Sequence, residues 1–253
     1  LRLSRGLGDV YKRQDLLVIV INKNTKDKVV NQLAKDVSSH LKESGSSVLV
    51  PNAKSFNAKN VLLVKGFQDS DQIHKLISMY QSIAQKGNQL KAKDISIMPG
   101  TVYPKGKCEM WLIEMVAKTV ESNVYIFSET CNKTAKKPSV KKLNILVSSL
   151  TKSDLIKAKN AAKKGYAIGE GVNSAKYLGD LPANHCTPRI IEKKVKAMTK
   201  DFPKLKVKSF NENQMKKMGM GSFLSVSRGS EEPARMMVIE YKGGSASEKP
   251  VAL

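Results

Sequence analysis

The chain has 253 residues, 41% of them hydrophobic, and 44 Lys and Arg against 22 Asp and Glu leave it with a net charge of +22. That hydrophobic content and a mean hydropathy of −0.32 describe a globular domain and exclude a disordered chain. The longest clean apolar run, Leu16–Ile21, is too short to span a bilayer or to serve as a secretory core.

In chain order, residues 1–14 stand apart: their basic residues are mainly arginine in a chain that otherwise uses lysine, and no initiator methionine precedes them. They read as a non-native or disordered tail. Residues 16–21 then form a buried strand, and 26–43 a helix with Val29, Val30, Leu33, Val37 and Leu41 on one face, stopped by Gly45. Strands follow at 48–50 and 61–64. Residues 69–86 make the clearest helix, with Ile73, Leu76, Ile77, Tyr80, Ile83 and Ala84 in one stripe and Gly87 as its stop. A strand at 95–98, a helix at 110–127, a lysine-rich exposed loop at 133–142 and a strand at 143–147 complete the pattern. Strands alternating with helices imply βαβ units and a mostly parallel sheet, so the fold class is α/β. A long helix over 154–178 leads out of that sheet. A helix at 190–198, a strand at 206–210, a short helix at 213–218 and a strand at 236–241 come after it.

Familiar catalytic patterns fail on ligand supply or geometry. The three histidines, His40, His74 and His185, lie far apart, with no HExxH and no His/Cys cluster. His185-Cys186 is the one place where two soft ligands adjoin, and adjacent side chains diverge, so a packing role in a turn is expected. Cys108, Cys131 and Cys186 have no CxxC spacing, which fits a thiol-reducing compartment. In Gly100–Lys107, Lys105 stands where a phosphate loop needs its second glycine. Gly165 and Gly169 follow no strand, so close helix packing is the expected use of the Gly165–Gly171 run. Cys186 has no base partner, no GxSxG elbow exists, and Glu231-Glu232 reads as a solvated turn. The basic excess is spread along the chain and not gathered on an aromatic-interleaved stripe. A solvated lysine surface is expected, with weak, salt-sensitive attraction to polyanions.

Two blocks are more specific. In Asn173–Pro188 a helix ends in a Pro/Asn-rich turn; Pro182 and Pro188 constrain its path, and Thr187 is placed to cap a new helix with Pro188 in its first turn. In Met218–Pro233, Gly219, Gly221 and Gly229 punctuate the approach to Met237-Val-Ile-Glu-Tyr-Lys-Gly-Gly244. The two blocks, in this order and at this distance, resemble the leucyl aminopeptidases, dinuclear metallo-aminopeptidases.

The resemblance implies a macro-domain-like N-terminal α/β domain over 15–150, a linking helix over 151–181 and the start of a truncated catalytic domain over 182–253. It implies an exopeptidase releasing N-terminal residues such as leucine from peptides, two divalent ions (manganese or zinc) in the full-length enzyme, a homo-hexamer when complete, and a cytoplasmic location with no membrane association. No residue here matches a catalytic, cofactor-binding or metal-binding position of that family, so none is assigned. The chain then reads as an N-terminal fragment, inactive by itself. Some bacterial members of the family bind DNA, and a basic α/β nucleic-acid-binding module is the alternative reading.

Overall fold

The structure is a computed structural model that describes residues 2–5 (backbone only), 14–22, 25–53, 55–67, 73–100, 103–130, 137–147, 151–245 and 247–252. By its internal contacts the chain divides into two units, Leu1–Tyr177 and Leu178–Leu253.

In the first unit the strands are β1 (Arg2–Arg5), β2 (Gln14–Ile21), β3 (Ser47–Pro51), β4 (Ala58–Lys65), β5 (Asp94–Met98) and β6 (Lys142–Val147). They form one six-stranded sheet in the order β1-β6-β5-β2-β4-β3. Every pairing is parallel except β3 with β4. The helices are α1 (Lys28–Asp36), α2 (Ile73–Gln89), α3 (Glu109–Val124) and α4 (Lys152–Asp180). Central β2 is apolar on both sides, as a strand covered on two faces must be. Leu16, Val18 and Val20 enter one layer with Tyr80, Ile83, Ile113, Val116 and Ala162 from the helices. Leu17 and Ile19 enter the other with Val30, Leu41, Val61, Leu63 and Leu146.

Four expectations change. Residues 1–14, read as a tail, contain β1, which pairs in parallel with β6, and Gln14, which opens β2. Gln14 is buried and shares hydrogen bonds with Ser96 of the adjacent β5 and with Asn144 of β6, one strand further on. The helix expected over 26–43 is shorter: the Asp27 carboxylate caps its start by accepting from Val29 and Val30. After Asp36 the backbone tightens into a 3-10 turn at Ser38–His40, because serines favour local side-chain bonding over helix continuation. Gly87 does not stop α2, which runs to Gln89; a Cβ there would collide with Ile95 of β5. The linking helix expected over 151–181 is α4, most of which belongs to the first unit.

Its attachment is legible in detail. Ala158, Ala162, Gly165 and Gly169 are the buried residues of α4. A Cβ on Gly165 would strike the Glu114 carbonyl of α3, and one on Gly169 would lie 2.6 Å from the Glu121 Cβ. Small residues thus let two helix backbones meet, which is the use expected for this glycine run.

The second unit contains α5 (Pro188–Asp201), β7 (Leu205–Asn211), α6 (Glu212–Lys217), α7 (Gly221–Val226) and β8 (Arg235–Tyr241). β7 and β8 pair antiparallel, with Val207 opposite Ile239. α7 falls in the segment punctuated by Gly219, Gly221 and Gly229, for which the sequence suggested no helix. Its run Ser222-Phe-Leu-Ser-Val226 is too short for a helical period to show in sequence.

Candidate functional site

The segment that carried the family resemblance folds through local hydrogen bonds. Beyond Asp180, Leu181 is buried and Pro182 leads into a 3-10 turn at Ala183–His185. The Cys186 thiol donates to the Leu178 carbonyl at 3.3 Å, while His185 is exposed. The adjacent pair therefore diverges, as its spacing predicts. Thr187 caps α5, its hydroxyl accepting from Ile190 N–H at 3.4 Å, with Pro188 at the first helical position.

Sequence reasoning passed over the residue that ties this unit together. The Glu192 carboxylate on α5 accepts from Lys196 at 2.6 Å and from Arg235, the first residue of β8, at 2.9 Å. Lys196, a Ser209 hydroxyl on β7 and Arg235 hold its pKa down at about 2. Charge-assisted bonds of this kind are about twice as strong as neutral ones, and Glu192 thus joins one helix to both strands. Its signal in sequence was only an i,i+4 pair with Lys196; the reach to Arg235 spans 43 residues. Nearby, Asn211 and Gln214 close a reciprocal capping box at the start of α6. The Glu212 carboxylate accepts from Ala234 N–H at 2.9 Å. Glu232 pairs with Arg189 at 3.2 Å, which makes one member of the Glu231-Glu232 pair an exposed structural contact. Gly219 adopts a φ of +73°, where a side chain would be strained.

Among the described residues no three His, Cys, Asp or Glu side chains come together as a group able to hold a metal ion. His40 lies in the turn after α1 and His74 in the first turn of α2. Cys131 and residues 101–102 of the Gly100–Lys107 loop lie outside the described residues. These side chains do not fit a dinuclear metal centre. In the first unit, a groove of about 410 Å3 opens between α1 and the carboxyl ends of β2 and β4, lined by Asn22, Asn31, Lys35, Ser38, Lys65 and Gly66 among others. Its polar groups are partly committed to the chain itself. The Asn31 amide donates to the Thr25 carbonyl at 2.9 Å and Lys65 to the Lys42 carbonyl at 2.7 Å. Among the described residues no helix is long and apolar enough to cross a membrane.

An α/β unit with a mostly parallel sheet, followed by a capped helix, an antiparallel ribbon and two short helices, defines a two-part α/β protein. A sequence profile described as "Cytosol aminopeptidase family, catalytic domain" matches residues 173–253, starting where the hinge block starts. A "Probable cytosol aminopeptidase" of Pseudomonas fluorescens is 32% identical over 213 residues, which is 83% of this chain and 42% of that protein. One of Aromatoleum aromaticum is 36% identical over 162 residues, 64% of this chain and 32% of the relative. A tomato leucine aminopeptidase mutant superposes with a TM-score of 0.76 at 19% identity, covering 98% of this chain and 52% of that one. The bottromycin maturation enzyme BotP in complex with Mn gives 0.68 at 16% identity, covering 89% and 45%. At those identities the two structures speak for the fold. Residues 173–253 thus match the catalytic-domain profile of the cytosol aminopeptidase family, and the chain spans 42% of the length of the first of these curated relatives and 32% of the second.

Proposed function

We propose that this chain is the N-terminal part of a metal-dependent leucyl aminopeptidase, which releases N-terminal residues from peptides. The observation that carries this reading is the coincidence at Asn173: the catalytic-domain match begins there, and so does the block that folds into the capped hinge. In such enzymes two divalent ions, manganese or zinc, polarise the scissile carbonyl and lower the pKa of a bound water. The described residues supply no such ligand set, so in this reading the ions and the residues that hold them belong to the part of the relatives' length that this chain does not span. What the chain contributes is scaffold: an α/β unit and elements of the catalytic unit. In the same reading the longer protein is a cytoplasmic homo-hexamer.

The test is to join residues 15–253 to the downstream part of a relative's catalytic domain and to measure release of leucine from a dipeptide with manganese present. Turnover by the joined protein and none by the chain alone is expected. Turnover by the chain alone, or none by a folded joined protein, overturns the reading.

The charge of +22 favours a second, non-enzymatic reading, a basic module that binds nucleic acid. Exposed Lys206 and Lys208 alternate along β7, and phosphate contacts of that kind make binding fall steeply with salt. A dedicated module retains a duplex at 150 mM salt; general attraction to a basic surface is lost there.

A further inference from the structure

Where α3 and α4 meet, Glu121 is half-buried and wedged against Gly169, whose missing side chain leaves room for its Cβ and Cγ. The Asn173 amide reaches across from α4: its Nδ2 donates to the Glu121 carbonyl at 3.0 Å and to the Glu121 carboxylate at 3.3 Å. The other end of the same amide, Asn173 Oδ1, is buried and has no hydrogen-bond partner. A buried acceptor without a donor destabilises the fold that holds it. Glu170, one turn earlier on α4, faces Glu121 while accepting from the Tyr166 hydroxyl at 3.0 Å. Lys118 precedes it by one turn on α3, and Lys141 and Lys142 line the cavity that Glu121 and Tyr166 share. No ion pair among the described residues includes Glu121.

We propose that Glu121 and Asn173 form a proton-sensitive latch between α3 and α4, loose when Glu121 is ionised and tight when it is protonated. The ionised carboxylate can only accept, so it bonds Asn173 Nδ2 and leaves Oδ1 orphaned. On taking a proton from solvent, one carboxyl oxygen becomes a hydroxyl that donates to Asn173 Oδ1, while the other still accepts from Nδ2. The acid–amide pair then has both bonds and no buried charge. Burial, and next the Glu170 charge, raise the Glu121 pKa above its ordinary value, outweighing the present Asn173 hydrogen bond, which lowers it; the net shift is in the direction the latch requires. With a folded pKa above the unfolded one, the folded protein binds more protons between the two values. Its stability therefore falls as pH rises from the ordinary carboxylate range through the raised value. The latch sits on the helix that continues past Tyr177, the last residue of the first unit.

The chain's single tryptophan, Trp111 on α3, reports melting of the first unit by fluorescence. Glu121→Gln supplies the amide equivalent of the protonated pair. It is expected to melt about 2–4 °C above the unsubstituted chain at pH 8 and level with it at pH 4.5, and Asn173→Ala is expected to flatten the unsubstituted chain's pH dependence. Parallel pH profiles for the unsubstituted chain and Glu121→Gln overturn the proposal. Should the variants fail to fold, carbon NMR of the Glu121 carboxyl in the unsubstituted chain decides. Titration above the ordinary glutamate range supports the latch, and titration at or below that range overturns it.

Discussion

In the first unit Leu16, Val18, Ile19, Leu63, Ile95, Ile97 and Ile145 are withdrawn from water altogether, whereas in the second, among the described residues, only Leu181, Met215 and Ala234 are buried hydrophobics. The second unit instead leaves large apolar side chains in solvent, among them Val226, Ile239 and Tyr241, at 87%, 52% and 65% exposure. One unit closes its core with helices on both faces of a sheet. The other is organised by caps, a capping box and the Glu192 contacts, which set the geometry of a ribbon without enclosing it. Local order and core formation are therefore separable. Hydrogen bonds and caps can specify the path of a chain segment, but burial needs a second layer.

The first unit is most sensitive where α4 touches α3. Replacing Gly165 by leucine forces a side chain into the Glu114 carbonyl, where neither backbone can yield. It should separate α4 from α3 and cost about 3 kcal/mol or more, seen as a lowered denaturation midpoint of Trp111 fluorescence. Leu63→Ala, at a fully buried position, should cost about 2–5 kcal/mol in the same assay. Equal stability in either variant would mean that the first unit is not the closed core described here.

The second unit should respond to polar changes instead. Asn211→Ala removes one half of the α6 capping box and should cost about 1 kcal/mol, read as faster amide exchange at Gln214. The depressed Glu192 pKa gives a pH signature of opposite sign to the Glu121 latch. Its folded value of about 2 lies below the unfolded one, so its stabilisation is complete above the ordinary carboxylate range and is lost as pH falls toward 2. Glu192→Gln should abolish that acid loss, measured by amide exchange along β8. The smallest effect belongs to Val226→Ser, at a position 87% exposed, which should change stability by less than about 0.5 kcal/mol. A large loss there would show that Val226 is covered in solution.

Much of this organisation was legible in sequence. The strands at β2, β4, β5 and β6 were apparent because fully buried strands are apolar runs too short for a helix. The Thr187-Pro188 start of α5 and the packing use of Gly165 and Gly169 were readable because cap and contact depend on residue type at fixed spacing. The candidate site was less legible. Asn173 lay within the hinge block, yet nothing in its neighbourhood points to Glu121 52 residues away, and Glu192 showed only its local partner Lys196.

By itself, then, the sequence determined where most elements form and which family the chain resembles, since both rest on residues close together along the chain. Only the tertiary structure decided that Gly87 is a point of contact with Ile95 and not a helix stop, and that Arg2–Arg5 joins the sheet beside β6. It alone decided that a carboxylate and a half-satisfied amide face each other across α3 and α4. Each of these depends on two segments far apart in the chain meeting at a few ångströms. Short-range propensity carries no information about such meetings; packing and hydrogen-bond satisfaction in three dimensions decide them.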